Sequence, residues 1–246
     1  MKNNKSKKKN SKKKNTIPSY NIINKSSFSS VNFSLDKDEA IYCNSGMMKS
    51  MDSHIETETN TQGGIIKGLF RELLTDTSMF MTKYTGTKNN SQVIFGSFLP
   101  GDIYPLLIKP GKKFLISHHS LVCYTPNLKL GTKSKFKGFF VSEGMFQTEI
   151  KNESEKEGMV WLAAYGGFHT KELKENESFK LDNGLFLCAE SDIDYSISKL
   201  GNIKTAITSG ERFLMKFNGK CKVVYTNGNV HLLQRFIAKN SSASKD

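Results

Sequence analysis

The side chains with chemical reach are few in this chain. Its five histidines are His54, His118, His119, His169 and His231. A metal-binding β-barrel of the cupin type uses two histidines two apart on one strand, a carboxylate a few residues on and another histidine on a later strand. Alternate strand residues share a face, which is why that spacing chelates. His118 and His119 are adjacent and would point to opposite faces of a regular strand; the run Ser117-His118-His119-Ser120-Leu121 predicts exposed loop histidines. His54-Ile55-Glu56 has strand spacing for two ligands and no third. Ligand number and spacing both fail, so neither a metal nor a cofactor is expected.

Cys43, Cys123, Cys188 and Cys221 form no C-x-x-C pair. Cys123 follows Leu121-Val122 and Cys188 follows Phe186-Leu187, which reads as small apolar core filling rather than nucleophilic chemistry. The carboxylates gather as Asp36, Asp38 and Glu39, and as Glu153, Glu155 and Glu157, among polar residues that read as hairpin tips. Gly63-Gly64 and Gly166-Gly167 lack the Lys-Ser/Thr and the following helix of a phosphate loop, so bulges or close strand approach explain them. No catalytic residue is assigned, and the expectation is a protein that is not an enzyme.

The elements that would position these groups are strands. Val31, Phe33 and Leu35 alternate with Asn32, Ser34 and Asp36, and Ile193, Tyr195 and Ile197 alternate with polar neighbours. That period of two places one apolar face on a sheet. Pro100-Gly101, Pro110-Gly111, Asn183-Gly184, Asn218-Gly219 and Asn227-Gly228 read as turns, the Asn-Gly pairs supplying the positive φ of tight hairpins. Leu69, Phe70, Leu73 and Leu74 offer only a helical turn. The fold class is all-β. No apolar run approaches the roughly 18–20 residues of a membrane-spanning helix.

Charge is concentrated at one end. Residues 1–15 carry eight lysines and no acid, more than half of the +13 formal net charge of the 246-residue chain. Such a segment cannot bury enough apolar surface to offset its ordering entropy and is expected to be disordered. Lys7, Lys8, Lys9, Lys12, Lys13 and Lys14 are the weak candidates for polyanion binding, to nucleic acid or an anionic surface. A solvated terminus in a Lys/Asn-rich composition explains the same run. Neither a secretory signal nor a mitochondrial presequence is visible, so an intracellular location in an unnamed compartment is expected. The expected organisation is an arm and linker over 1–29, one all-β domain over 30–238, and a flexible tail over 239–246.

A threefold internal repeat is also legible. Gly46, His119 and Gly184 correspond, as do Ile55, Leu128 and Ile193, each set separated by 73 and then 65 residues. Phe80, Phe146 and Phe213 are spaced by 66 and 67. Phe114-Leu115-Ile116 matches Phe179-Lys180-Leu181 at an offset of 65, as Cys123 matches Cys188. A period near 66 suits a small sheet unit rather than a solenoid repeat. Three such units cannot each bury a face alone, so packing about a shared pseudo-threefold axis is expected.

The run from Gly46 to Gly86, then Pro100 to Tyr124, then Met159 to Glu190 resembles the altered-inheritance-of-mitochondria protein 24 family. The resemblance covers roughly residues 30–235. It implies a compact all-β fold like that of the tryptophan RNA-binding attenuation protein and a homo-oligomer, a trimer being favoured. Mitochondrial members are implicated in inner-membrane organisation, while bacterial members have no established reaction. The chain departs from the family at Thr75-Asp76-Thr77-Ser78-Met79-Phe80, where Gly-Glu is usual. It departs again at Gly219 to Asn227, which lacks the usual Pro-Gly turn and Gln-Thr-Arg.

The expected function is therefore a non-enzymatic assembly or scaffold protein with a cationic arm. The alternatives are a small-ligand or metal-dependent β-barrel enzyme and an RNA-binding β-protein. For RNA, Lys135-Phe136-Lys137-Gly138-Phe139-Phe140 and Lys216-Phe217-Asn218-Gly219-Lys220 have stacking composition. An ordinary strand with phenylalanine inward and lysine outward gives the same string.

Overall fold

A computed structural model describes residues 16–60, 81–131, 147–199 and 213–242. Alternation builds its strands. In β2 (Ser30–Leu35), Val31, Phe33 and Leu35 are fully buried while Asn32 and Ser34 stay partly exposed. β1 (Ser19–Ile23) pairs with it antiparallel, turning Tyr20 and Ile22 onto the same core. Residues 16–29 are thus not simply a linker: apolar side chains at alternate positions give the chain a reason to add a strand. β3 (Ala40–Asn44), β4 (Met48–Met51), β5 (Ile55–Asn60), β6 (Met81–Gly86) and β7 (Ser91–Gly96) follow. Next come β8 (Gly101–Ile108), β9 (Lys113–Ser117), β10 (Leu121–Tyr124), β11 (Leu128–Gly131), β12 (Gln147–Asn152) and β13 (Gly158–Tyr165). The last strands are β14 (Phe168–Leu173), β15 (Ser178–Asp182), β16 (Phe186–Glu190), β17 (Asp194–Lys199), β18 (Phe213–Asn218) and β19 (Cys221–Thr226).

These strands form four antiparallel sheets. The first runs β1-β2-β7-β4, the second β5-β6-β3-β10-β13-β8, the third β11-β12-β9-β16-β19-β14 and the fourth β15-β18-β17. The third order is the second with every strand advanced by six. Half of that pattern, β4-β7-β2, makes the first sheet together with β1, and the other half, β17-β18-β15, makes the fourth. Gly46, His119 and Gly184 each stand two residues before β4, β10 and β16. Phe213 opens β18; Phe80, Phe146, Gly63-Gly64, Leu69 to Leu74 and the Thr75–Phe80 departure lie outside the described residues.

Three hydrophobic clusters fill the spaces between successive sheets. Phe33, Phe95 and Trp161 lie between the first and second, Tyr124, Ile150 and Leu187 between the second and third, and Phe186, Met215 and Phe217 between the third and fourth. The chain passes between sheets at short links. One is the 3-10 turn His118–Ser120 between β9 in the third sheet and β10 in the second. Asn183–Leu185 is the matching 3-10 turn between β15 and β16, so the Asn183-Gly184 pair makes no hairpin and Gly184 has no positive φ. There Asp182 Oδ1 accepts from the Gly184 N–H at 2.9 Å and closes the turn without glycine's special backbone. Asn218-Gly219 does behave as a hairpin turn, with φ +72 at Gly219 between β18 and β19.

The chain leaves the sheets in helix α1 (Val230–Ser242), which spans the end of the expected all-β domain and the first part of the expected tail. Asn229 starts it: its Oδ1 accepts from the Leu232 N–H at 3.2 Å, and its Nδ2 donates to Asp182 Oδ2 at 2.9 Å, tying the helix to β15. Leu232, Phe236 and Ile237 are exposed on it.

Candidate functional site

The links between sheets gather along one rim, and there the molecule has its candidate site, a cleft of about 300 Å³. Three short segments contribute Asn44 to Met47, Ser117 to Ser120, and Gly184 with Phe186. Strand ends supply Ser97 to Asp102, Ala163 to Tyr165, and Thr226, while α1 adds Val230 and Gln234. Gly101 is what lets the backbone pass here: its φ is +151, and a Cβ on it would collide with the Ala164 carbonyl oxygen.

Polar groups in the cleft are engaged with each other, with backbone carbonyls and with a neighbouring strand. Ser29 Oγ lies 3.0 Å from Asp102 Oδ1 and 3.1 Å from the Asn24 carbonyl oxygen. Asp102 Oδ1 also accepts from the Ile103 N–H at 2.8 Å. Asn44 Nδ2 donates to the Leu121 carbonyl at 3.2 Å, fastening the β3 end to β10. His118 is half-buried rather than exposed, because the 3-10 turn breaks strand alternation and swings its ring onto β12. Its Nδ1 lies 3.1 Å from Thr148 Oγ1. Burial, reinforced by His119, lowers the His118 pKa to about 4, so the ring is neutral at pH 7. His119 is exposed and meets it edge to face at 5.5 Å. The cleft thus offers a neutral imidazole, a carboxylate and hydroxyls over a partly apolar floor. That set suits hydrogen bonding to a small polar group.

The other candidates are scattered. Lys7, Lys8, Lys9, Lys12, Lys13 and Lys14 lie outside the described residues, as does Lys135 to Phe140. His54 is exposed with Nε2 3.2 Å from Lys88 Nζ, and His169 is exposed against the Tyr225 ring at 5.4 Å. Cys43, Cys123 and Cys188 are buried free thiols whose pKa burial pushes up; Cys221 is half-buried. Phe217 is fully buried, facing the core rather than a base. Among the described residues, no three His, Cys, Asp or Glu side chains are placed to share a metal ion. Asp36 and Asp38 are exposed at the β2–β3 tip. Glu153, at the β12–β13 tip, accepts from Lys129 Nζ and Lys151 Nζ, both at 2.6 Å, and these bonds lower its pKa to about 2. The cleft itself was not visible to sequence reasoning. The common placement of Gly46, His119 and Gly184 before successive strands was the signal that could have found its three short walls.

The fold is shared with known proteins. The family model for mitochondrial biogenesis AIM24 matches residues 20–227, from β1 through the end of β19. The chain belongs to the mitochondrial biogenesis AIM24 family. That span includes the whole cleft except Val230 and Gln234 of α1. The crystal structure of protein SPYM3_0169 from Streptococcus pyogenes superposes with a TM-score of 0.72 at 15% identity, covering 91% of this chain and 100% of that one. At that identity the likeness shows a shared fold alone. No functionally curated protein matches significantly. The AIM24 departure at Gly219 to Asn227 falls on the β18–β19 turn and β19, whose Val223 and Val224 remain buried. Among the described residues, no helix is long and apolar enough to cross a membrane.

Proposed function

We propose that this AIM24 member is a non-enzymatic assembly protein that works inside the cell as a homo-oligomer, a trimer being favoured. The carrying observation is the placement of large exposed apolar side chains. Phe28, Met48, Met51 and Phe98 are 54%, 39%, 43% and 67% exposed and stand on or beside the first sheet, while the remaining exposed large apolar side chains among the described residues are Leu107 on β8 and Leu232, Phe236 and Ile237 on α1. Apolar surface gathered at one end of a molecule marks an interaction face. The recurrence of one strand order every six strands favours three tandem copies of a single unit, which is how a chain acquires faces that match one another. Cleft groups bonded to each other and to the backbone favour an architectural role for that rim over a catalytic one. The lysine-rich arm, with Lys7, Lys8, Lys9, Lys12, Lys13 and Lys14, would let such an assembly dock on nucleic acid or an anionic surface.

Light scattering coupled to size exclusion on the full chain tests the reading. A mass that is a multiple of 27.6 kDa at micromolar concentration supports it, and a monomer at every concentration overturns it.

A second reading, binding of a small polar ligand, is favoured by the cleft volume, which lies at the lower end of ligand pockets. Thermal-shift screening of small metabolites, with His118→Ala as the control that should abolish any hit, checks it.

A further inference from the structure

Each six-stranded sheet contains one seam where two parts of the chain meet edge to edge. β3 meets β10 antiparallel, with Cys43 opposite Cys123 and Tyr42 opposite Tyr124. β9 meets β16 in the same way, with Ile116 opposite Cys188 and Leu115 opposite Ala189. In the strand order that recurs every six strands, β4 stands where β10 and β16 stand, and β15 stands where β3 and β9 stand. Yet among the described residues β4 ends the first sheet and pairs only with β7, while β15 ends the fourth and pairs only with β18.

Burial registers the difference. All four residues of β10 are buried, as are the first four of β16. All four of β4 are exposed. The backbone groups on such an edge are a template for another strand. The chain shows twice which strand fits there.

We propose that β15 of one copy pairs antiparallel with β4 of the next copy, fusing the fourth sheet of one chain and the first sheet of its neighbour into a single sheet. The order of that sheet is β17-β18-β15-β4-β7-β2-β1. This rests on the homo-oligomer reading and specifies its contact. Carrying the two existing registers over sets Ser50 opposite Leu181 and Met51 opposite Lys180. The alternative, β15 against a second β15, centres on Lys180, the middle of its five residues, and sets that charge against itself. Pairing with β4 sets Lys180 against Met51 instead. The contact uses different surfaces on the two partners, so it propagates head to tail and closes into a ring where the rotation per chain permits.

The test uses Met51→Cys and Lys180→Cys, each in the full-length chain, co-expressed under different affinity tags and also prepared singly. Wild-type protein sets the background from the native thiols, and circular dichroism verifies folding. Oxidation, or a short bis-maleimide, followed by non-reducing electrophoresis of the co-expressed pair is expected to give a band of doubled mass carrying both tags. Each single variant should stay at background. Cross-linking of Met51→Cys with itself would overturn the proposal, and so would a Met51→Cys/Lys180→Cys double variant that closes only within one chain. An oligomeric mass with no cross-link in the co-expressed pair would overturn this contact and leave the homo-oligomer standing. A monomeric mass would overturn both.

Discussion

Trp161 is the only tryptophan, and it sits fully buried on β13 in the space between the first and second sheets. Tyr20 and Phe33 meet its ring edge to face at 5.0 and 4.7 Å, so strands of the first sheet close directly on it. Its Nε1–H, however, is buried without a hydrogen-bond partner among the described residues. Two substitutions separate the packing of this side chain from the cost of that orphan donor. Trp161→Ala empties the space and loses both aromatic pairs, which costs about 3–5 kcal/mol. Trp161→Phe keeps a ring against Tyr20 and Phe33 but gives up the rest of the indole, a loss of roughly 2 kcal/mol in transfer and cavity terms. It also removes the unsatisfied donor, which returns about 1–3 kcal/mol. Trp161→Phe should therefore lie within about 1 kcal/mol of wild type. Urea unfolding followed by far-ultraviolet circular dichroism measures both variants. If Trp161→Phe proves as costly as Trp161→Ala, the donor is satisfied in solution and the reasoning about the orphan N–H is refuted.

Protonation of His118 should destabilise the fold. Its pKa of about 4 in the folded chain lies below the ordinary 6.5, so this contribution is whole above pH 6.5 and is lost as the pH falls toward 4. It amounts to at most about 3 kcal/mol, and denaturation of His118→Gln across that range should show a flatter profile than wild type. Gly101→Ala forces a side chain into the Ala164 carbonyl at a left-handed φ, and thermal melting should reveal a loss on the order of 3 kcal/mol. Deleting residues 1–15 should abolish salt-sensitive binding to heparin or DNA in fluorescence anisotropy while leaving the melting curve unchanged; undiminished binding would place the electrostatic surface elsewhere.

Local pattern made much of this fold readable. The alternation of Val31, Phe33 and Leu35 gives β2, and the 65-residue offset from Phe114 to Phe179 lands on β9 and β15. β1 was hidden because Tyr20 and Ile22 are embedded in a Ser/Asn-rich stretch that reads as linker, and only the buried face of β2 reveals what they cover. Helix α1 carried a usable signal in Leu232, Leu233, Phe236 and Ile237, whose spacing follows the helical period. His118 was misplaced because alternation holds on strands and fails in a 3-10 turn. The handing of strands from one unit to the next is a pairing across dozens of residues, and no local pattern encodes it. The cleft depends on that pairing, since its walls come from segments far apart in sequence.

Hydrogen exchange on the full-length protein tests the central claim most directly. Sheets passed along the chain, with β4 and β15 left to join neighbouring copies, predict that the β4 amides on the edge away from β7 are protected like those of β10 and lose that protection on dilution, while the amides bonded to β7 keep theirs. Rapid exchange of the β4 amides facing away from β7 at every concentration, while β10 stays protected, would contradict it.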